Sequence, residues 1–599
     1  MFCDLSYVIC LMSKAIMIQG TGSGAGKSAV VAGLCRIFRD MGIRVAPFKS
    51  QNMALNSFIT KEGGEIGRAQ AFQAEAAGLE PCNDMNPVLL KATGEAGCQV
   101  MLNGKVHATM KAHEYYQIKE KVWQEITAAY DRLSKEYELI IIEGAGSPAE
   151  INLQEEEVVN MRVARYAEAP VILVGDIDRG GVFAQFYGTV ELLKDVTPPS
   201  LPLSKGRSKE GSSDADYIKA FIVNKFRGDI NILRPGLRMI EDKTGRPVIG
   251  TLYYQNHMGL DEEDGLSIEQ LKRLQPLQAL QRLKVVILRL KYISNFTDFA
   301  PFLYEPDVEI RYTMWEEDIS SADLIIIPGS KNTVSDLMLL RENGIEDCVK
   351  AAVSKGAALI GVCGGYQMIG KKIFDPHNVE SSLREVEGMG FLDTVTKFDR
   401  TKTTCQVEAE IQNTEHSTQN SDERQNTEHR IQCTDRKNSK DNLGSGFWAL
   451  GSILKGYEIH MGNTTGDVGL FKVNRFHDAE HRAQTLDKKN NKDSLGSGIW
   501  VRCSDVFDGS AKGNVWGTYI HGIFDNDEFR TSVINSLREK KGLLSRGVEV
   551  NYQAKREEAI NKWADTLKNS IDICFILRQV GMEYCMKNRP KDHRPQNTD

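Results

Sequence analysis

A glycine-rich segment near the amino terminus is the first part of this sequence that could do chemistry. The apolar run AIMIQG leads into it, and the helix-like run AVVAGLCRIF follows it. In such a strand–loop–helix setting, glycines let backbone N–H groups turn onto phosphate oxygens, a lysine reaches the β- and γ-phosphates, and a hydroxyl can bind Mg²⁺. The sequence predicts an ATP-binding loop made of Gly20, Thr21, Gly22, Ser23, Gly24, Gly26, Lys27 and Ser28.

Polar side chains also follow three later strand-like runs. Glu143 ends ELIIIEG, Asp176 ends VILVGD, and Asn224 and Lys225 stand in FIVNKF. The carboxyl ends of parallel strands meet at the edge where open α/β sheets bind ligands, and carboxylate oxygens suit Mg²⁺. We therefore expect Glu143 and Asp176 to hold the metal with Ser28, and Asn224 and Lys225 to contact the adenine side of the nucleotide. Taken singly, each of these residues would fit a capping role equally well.

A cluster of amide side chains directly follows another strand-like run, in FKSQNMALNSFIT. A purely structural loop rarely concentrates so many amides. We interpret the cluster as a contact for the acceptor substrate or for phosphate, made by Lys49, Gln51, Asn52 and Asn56.

A second chemical signal lies in AALIGVCGGYQMIG, where Cys363 follows an apolar run and has glycines on both sides. Small flanking residues permit a nucleophile elbow, and the amino end of the following helix favours the thiolate. His521, in GTYIHG, is the predicted base. Backbone N–H groups at Gly329, Ser330 and Gly364 are candidates for an oxyanion hole. The alternative is a buried structural cysteine and a structural histidine.

Two successive sets of alternating strands and helices must position these residues. Continuous apolar strands are typical of parallel sheets buried on both faces. The sequence predicts two doubly wound α/β domains, a P-loop NTPase-like one over 12–262 and a flavodoxin-like one over 283–540, with a helical tail at 541–599. A linker helix is expected at 260–282. No role is assigned to Glu458 and His460 in GYEIHMG.

Three polar segments interrupt this pattern, near 197–215, 405–445 and 482–498. QNTEH occurs twice, and KNSKDNLGSGFW recurs as KNNKDSLGSGIW. Two copies without matching sequence between them do not make a solenoid. We interpret these segments as solvated surface insertions without chemistry.

Composition excludes several classes of protein. Hydrophobic residues make up 41% of the 599 residues and charged residues 26%, so wholesale disorder is excluded. The net charge of −7 gives no general attraction to nucleic acid or to a membrane, and no apolar run approaches the ~20 residues that span a bilayer. Twelve cysteines without a C-x-x-C pair indicate reduced thiols in the cytoplasm. Residues 1–11 lack a signal-peptide pattern and are expected to be dispensable, with Met12 as a plausible start.

The motifs together resemble the cobyric acid synthase family over roughly residues 14–575, apart from the insertions. The strings that carry the resemblance are KSQNMALNS, EIGRAQAFQA, EGAGSPAEINL, DIDRGGVFA, VNKFRGD, PGSKNT, GVCGGYQM, GYEIHMG and GTYIHGIF. The resemblance implies a dethiobiotin-synthetase-like ATPase domain fused to a class I-type glutamine amidotransferase domain.

By this resemblance, Cys363 forms a glutamyl thioester and releases ammonia, with His521 as base and then acid. MgATP would convert the b, d, e and g carboxylates of adenosylcobyrinic acid a,c-diamide to acyl phosphates, from which ammonia displaces phosphate. Most class I amidotransferases carry a glutamate two residues after the histidine. Here that position is Ile523, so a dyad without an orienting acid is implied.

Other functions remain open at this point. Cobyrinic acid a,c-diamide synthase shares both domain types, although KSQNMALNS and EGAGSPAEINL favour the cobyric acid branch. A ParA/MinD-like ATPase switch would carry an extra lysine at the position of Gly22 and has no need of an elbow cysteine. A scaffold that has lost its activity is the third alternative.

Overall fold

The computed structural model of the protein describes residues 13–92, 97–152, 157–194, 213–255, 282–381, 383–412, 452–478, 500–502 and 506–582. The chain divides into two units, Met1–Gln270 with Gln553–Asp599, and Leu271–Tyr552. Residues 1–11, the insertion near 482–498, nearly all of the expected linker helix and most of the insertion near 197–215 lie outside the described residues. Within the described ranges, no helix is long and apolar enough to cross a membrane.

The first unit is built on a six-stranded parallel sheet. The strands of this unit are β1 (Lys14–Gly20), β2 (Val45–Phe48), β3 (Gln51–Met53), β4 (Ser57–Ile59), β5 (Glu65–Gly67), β6 (Val88–Ala92), β7 (Gly97–Leu102), β8 (Lys105–Lys111), β9 (Leu139–Glu143), β10 (Val171–Asp176), β11 (Ile218–Phe226) and β12 (Val248–Tyr253). The main sheet has the order β12-β11-β10-β1-β9-β2. Apolar side chains on both of its faces are buried, which explains the continuous apolar runs in the sequence.

Helices cover this sheet, and a smaller sheet of order β3-β6-β7-β8 lies beside it. The helices are α1 (Lys27–Asp40), α2 (Arg68–Ala77), α3 (Ala112–Gln117), α4 (Lys119–Glu136), α5 (Met161–Tyr166), α6 (Val182–Lys194) and α7 (Ile230–Thr244), with 3₁₀ turns at Asn83–Met85 and Asp214–Tyr217. Strand β1 lies between β10 and β9, so the loop that follows β1 opens at the middle of the sheet edge. This is the edge at which open α/β sheets bind ligands.

The second unit contains its own mainly parallel sheet. Its strands are β13 (Leu283–Leu288), β14 (Ile293–Ser294), β15 (Val308–Thr313), β16 (Leu324–Ile327), β17 (Gly329–Ser330), β18 (Ala358–Val362), β19 (Lys372–Phe374), β20 (Glu385–Glu387), β21 (Thr394–Ile411), β22 (Leu454–Gly466), β23 (Phe471–Asp478), β24 (Trp500–Arg502), β25 (Val506–Asp508), β26 (Ser510–Lys512), β27 (Val515–Thr518) and β28 (Ile520–His521). The order is β15-β13-β16-β18-β27-β26, parallel except for β26. Two α/β units with parallel sheets confirm the predicted fold class.

A second sheet of this unit, β20-β19-β21-β22-β28, carries β23 to β25 at its side. The helices are α8 (Glu316–Ser320), α9 (Thr333–Glu342), α10 (Ile345–Ser354), α11 (Gly364–Ile369) and α12 (Asp527–Lys540), with 3₁₀ helices at Phe296–Tyr304 and Ile523–Asp525. Of the polar insertion expected at 405–445, residues 413–445 lie outside the described residues, and residues 405–411 belong to β21 and pair with β22 and β23. Burial at every second residue there explains why a strand forms from a polar composition.

The expected helical tail at 541–599 is described as far as residue 582 and contains two helices. Helices α13 (Tyr552–Ser570) and α14 (Ile573–Gln579) pack into the core of the first unit. Trp563 donates its indole N–H to the carbonyl of Ala29 at 2.6 Å, and Ile560 and Leu567 are buried in the same core. The chain therefore returns to its first unit after completing the second.

Candidate active sites

The glycine-rich loop has the backbone conformation that its sequence predicts. It joins β1 to α1, which begins at Lys27. Gly24 and Gly26 have φ values of 72° and 97°, a region that side chains disfavour. A Cβ on Gly26 would also lie 2.1 Å from Nδ2 of Asn224. Lys27 donates to the carbonyl of Gly22 at 2.9 Å, so its ammonium lies within the loop.

Glu143 lies at the end of β9, beside this loop, in a dense set of hydrogen bonds. Its carboxylate accepts from Ser28 Oγ at 2.8 Å, Lys49 Nζ at 3.0 Å and Gln73 Nε2 at 2.5 Å. Burial favours the protonated form, but Lys49 and the hydrogen bonds from Gln73 and Ser28 hold the pKa of Glu143 below its usual range. A buried carboxylate therefore stays ionised next to the hydroxyl that the motif assigns to Mg²⁺.

Ser28 and Glu143 fit a magnesium ion by the chemistry of their donors. Both offer oxygen, Glu143 is charged, and their oxygens already lie 2.8 Å apart. Asp176 lies on the other side of β1, because β9 and β10 flank that strand. Two steps of ~4.8 Å across the sheet separate these strands. The structure joins Ser28 to Glu143 directly, whereas Asp176 pairs with Lys225 and Arg179, and its role as a metal ligand stays a prediction.

Asp176, Asn224 and Lys225 instead support the glycine-rich loop from its second side. Asn224 donates to the carbonyl of Ala25 at 2.9 Å, and Lys225 donates to that of Gly24 at 2.8 Å. Lys225 also pairs with Asp176 at 3.0 Å. The side chains of Asn224 and Lys225 thus hold the loop's backbone, and their contact with an adenine stays a prediction.

The predicted amide cluster turns out to be largely buried and connected to Glu143. Asn52 donates to Gln70 at 2.7 Å, and Gln70 donates to the Glu143 carboxylate at 3.3 Å. Gln51 accepts from the hydroxyl of Tyr115, and Asn56 is buried. These side chains, with Lys49, link the loop after β2 to the phosphate site. A direct contact with an acceptor substrate stays a prediction.

Cys363 occupies the strained turn that a nucleophile elbow requires. It lies between β18 and α11 with φ 54° and ψ −110°, an unfavourable conformation for a side-chain-bearing residue. A Cβ on Gly365 would lie 1.9 Å from the carbonyl oxygen of Ile327. The glycine is therefore needed for the close approach of α11 to β16, and the cysteine is held at the carboxyl end of its strand.

His521 is fixed beside Cys363 by a carboxylate that the sequence did not reveal. Its Nδ1 lies 2.6 Å from Oδ2 of Asp298, and its ring stacks on Tyr457 with centroids 5.3 Å apart. Burial alone would lower the pKa of His521, but Asp298 and Cys363 together raise it to about 10. The expectation that no acid orients this histidine is wrong, since Asp298 supplies one from 223 residues upstream.

The three oxyanion-hole candidates surround the same point. Gly329 lies beside the imidazole, since a Cβ there would be 3.4 Å from Cε1 of His521. A Cβ on Gly364 would lie 2.9 Å from the backbone nitrogen of Ser330. The backbone of Ser330 is therefore a close neighbour of Gly364, the residue after Cys363. Their role toward an oxyanion stays a prediction.

The GYEIHMG segment lies on β22 and also borders the cysteine. Cys363 Sγ donates to the carbonyl of Ile459 at 3.4 Å. Glu458 forms a two-point ion pair with Arg475, at 2.5 and 3.1 Å. Burial lowers the pKa of His460 to about 4, despite the opposing effect of Glu458, so this imidazole is neutral at neutral pH. The segment contributes the backbone carbonyl of Ile459 and the neutral imidazole of His460 to the site.

Comparison with known protein families assigns a class to each unit. Residues 16–268 match the family described as a CobQ/CobB/MinD/ParA nucleotide binding domain. Residues 284–529 match a CobB/CobQ-like glutamine amidotransferase domain. Fold and sites thus define a glutamine amidotransferase fused to a P-loop nucleotide-binding domain.

Curated relatives extend this match along the whole chain. A cobyric acid synthase of Thermodesulfovibrio yellowstonii is 44% identical over 572 residues, which cover 95% of this chain and all of that protein. One from Clostridium botulinum (strain Okra) is 41% identical, covering 95% of this chain and 99% of that protein. This chain belongs to the cobyric acid synthase family of glutamine-dependent amidoligases, which confirms the resemblance seen in the sequence.

Solved structures give much weaker likenesses. One titled as a glutamine amidotransferase has a TM-score of 0.24 at 15% identity, covering 43% of this chain and 99% of that one. The signal recognition particle receptor FtsY of Elizabethkingia anophelis with GDP has a TM-score of 0.21 at 16% identity, covering 40% and 56%. TM-scores this low support no conclusion about function.

Proposed function

We propose that this chain uses ATP and glutamine to amidate the b, d, e and g carboxylates of adenosylcobyrinic acid a,c-diamide, giving adenosylcobyric acid in cobalamin (vitamin B12) biosynthesis. The observation that carries the proposal is the occurrence of a P-loop and a Cys–His site on one chain that matches cobyric acid synthases over 95% of its length. A carboxylate does not react with ammonia until it is activated. Free ammonia is mostly protonated at neutral pH, so a built-in glutaminase supplies what the synthetase needs.

In the glutaminase half, the Cys363 thiolate attacks the amide carbon of glutamine. Backbone N–H groups near Ser330 and Gly364 stabilise the oxyanion. The His521 imidazolium gives its proton to the departing ammonia, and a glutamyl thioester remains. His521 then removes a proton from water, the hydroxide adds to the thioester carbon, and cleavage of the C–S bond frees glutamate and restores the thiolate and the imidazolium. A pKa of His521 near 10 supports an imidazolium ready to act as the acid.

In the synthetase half, the loop amides and Lys27 bind the phosphates of ATP. Ser28 and Glu143 would hold Mg²⁺, which neutralises phosphate charge when it is bound. A corrin carboxylate oxygen attacks the γ-phosphorus, and ADP leaves. Ammonia then attacks the carbon of the acyl phosphate, and inorganic phosphate leaves. Because ATP and reduced thiols are available in the cytoplasm, we propose that location, without a membrane or nucleic-acid partner.

Two other functions have specific points in their favour. Cobyrinic acid a,c-diamide synthase would use the same two kinds of site, and differs in which carboxylates it amidates. A ParA/MinD-like switch shares the nucleotide-binding family of residues 16–268. It would leave the strained Cys363 and its histidine without a purpose.

The test is amidation of the proposed substrate. Purified protein is incubated with MgATP, glutamine and adenosylcobyrinic acid a,c-diamide, and the amides gained are counted by mass spectrometry. We expect four amides. Cys363→Ala should lose them with glutamine and regain them with added ammonia, while Cys348→Ala on α10 serves as the matched control and should keep both. Folded protein that gives no amides with either donor contradicts the proposal, and amides on positions a and c of cobyrinic acid instead indicate the diamide synthase.

A further inference from the structure

We propose that Asp298 is the positioning residue of the glutaminase, and that it takes the part played in other class I amidotransferases by a glutamate two residues after the histidine. Here that place holds Ile523, while Oδ2 of Asp298 lies 2.6 Å from Nδ1 of His521. The inference rests on the proposed glutaminase function and adds a residue to it. It concerns a carboxylate that stands near the start of the second unit, far from the histidine in sequence.

The segment that carries Asp298 is built to hold one geometry. It is a 3₁₀ helix, Phe296–Tyr304, whose first turn contains the aspartate. Asn295, just before it, is buried and adopts φ 52°, a left-handed conformation seldom used by residues other than glycine. Asparagine tolerates this conformation better than most side-chain-bearing residues, and here it directs the chain into the 3₁₀ helix that carries Asp298.

A short ladder ties this segment to the oxyanion-hole candidates. Strand β14 pairs antiparallel with β17, so Ile293 faces Ser330 and Ser294 faces Gly329. The next residue after β14 is Asn295, whose Nδ2 lies 3.4 Å from Nδ1 of His521. Movement of the Asp298 segment would therefore also move the backbone amides beside Cys363. The pairing of β14 with β17 therefore helps to fix Asp298, His521 and the backbone amides beside Cys363 relative to one another.

The hydrogen bond at Nδ1 determines what the other ring nitrogen does. With Nδ1 bound to Asp298, the proton that moves during reaction must be carried by Nε2. Nε2 is buried and has no hydrogen-bond partner among the described residues, and Cys363 is close enough to raise the pKa of the ring. The stacked ring of Tyr457 limits rotation of the imidazole. Asp298 thereby directs Nε2 to the nucleophile.

Charge adds to this orientation. Burial opposes protonation of His521, and the carboxylate of Asp298 and the sulfur of Cys363 reverse that effect. The other titratable groups facing the ring are Tyr457, which stacks on it, and His460, which burial keeps neutral. Asp298 is thus the acidic side chain that stabilises the imidazolium. Loss of its charge should lower the pKa of His521 and so reduce the imidazolium form beside Cys363.

A structural role alone would not produce the same signature, and the chain offers a matched control. Asp307, in the same unit, is equally buried, and its carboxylate pairs with Arg538 at 2.7 and 2.9 Å. It contacts none of the residues of the Cys363 site among its described partners. Asp307→Asn therefore reports the cost of removing a buried carboxylate without touching His521.

The experiment compares Asp298→Asn and Asp307→Asn with the parent protein in three measurements. These are glutamine hydrolysis, the pH profile of Cys363 alkylation by iodoacetamide followed by peptide mass spectrometry, and ammonia-supported amidation. For Asp298→Asn we expect kcat for glutamine to fall by about 10²- to 10⁴-fold with little change in KM. Its alkylation profile should move to higher pH, and its ammonia-supported amidation should be unchanged. Asp307→Asn should keep the parental alkylation profile.

Two results would overturn the inference. One is an Asp298→Asn protein whose kcat and alkylation profile match those of the parent. The other is an equal change of both quantities in folded Asp307→Asn, which would make the effect structural. Parent protein that hydrolyses no glutamine at all, while folded, would instead overturn the proposed function.

Discussion

Replacing Lys49 with methionine removes the ammonium that lies 3.0 Å from Oε1 of Glu143 in the first unit. Both side chains are almost inaccessible, with 4% and 1% of their surface exposed. A buried carboxylate left without its cation costs about 3–5 kcal/mol in the free energy of unfolding. Gln73 and Ser28 still donate to Glu143, so we expect Lys49→Met to fall near the lower end of that range.

Removing both charges should cost much less than removing one. The double variant Lys49→Met, Glu143→Gln removes both members of this ion pair, and replacing a whole buried pair is often close to neutral. We therefore expect the effects of the two single variants to be strongly non-additive, with an interaction energy of about 2 kcal/mol or more. The measurement is made without nucleotide, on the unfolding transition that MgATP raises in the parent protein, since ligand binding there identifies the unit that binds it.

The pH dependence gives a second check with a definite sign. In the parent protein the pKa of Glu143 is lower in the folded state than in the unfolded state. The ionised carboxylate therefore adds to the free energy of unfolding above the unfolded-state pKa, and this contribution is lost as the pH falls through the folded-state pKa. Without Lys49 the pKa of Glu143 should rise, because burial is then opposed only by the hydrogen bonds from Gln73 and Ser28 and by the charge of Lys27. The penalty of Lys49→Met should then be largest at neutral pH and become smaller as the pH falls and the carboxyl of the variant protonates. Additive single variants, or a penalty that grows as the pH falls, would refute this account of the pair.

Three further substitutions test the two sites and the returning helices. Gly26→Ala, at φ 97° and with a Cβ 2.1 Å from Asn224, should weaken ATP binding at least about tenfold in calorimetry while glutamine hydrolysis persists. Gly365→Ala, with a Cβ 1.9 Å from a backbone oxygen, should do the reverse, abolishing glutamine hydrolysis in an ammonia-release assay while ATP binding persists. Trp563→Ala should cost about 3–5 kcal/mol and lower the MgATP-sensitive unfolding midpoint, because the indole fills the core of the first unit. An unchanged midpoint would contradict that packing.

The strands and both chemical loops could be predicted because their signals are local. Gly20 to Ser28 and the residues around Cys363 each lie within one strand–loop–helix segment, and glycine spacing there follows from backbone conformation alone. His521 was found from its short-range setting after a strand. For Asp298, the available signal is the polar pair Thr297–Asp298 inside the otherwise apolar run FTDFAPFLY, and nothing local distinguishes it from a helix cap.

The sequence by itself determined the two α/β units, the phosphate loop and the nucleophile, since periodicity and turn-forming residues act over a few neighbours. Tertiary structure alone decided that Asp298 meets His521, that Lys49 pairs with Glu143, and that α13 and α14 complete the first unit. These contacts join residues that lie from about a hundred to several hundred positions apart. Which of these residues meet depends on which apolar faces are buried together, and this is determined only when the whole chain folds.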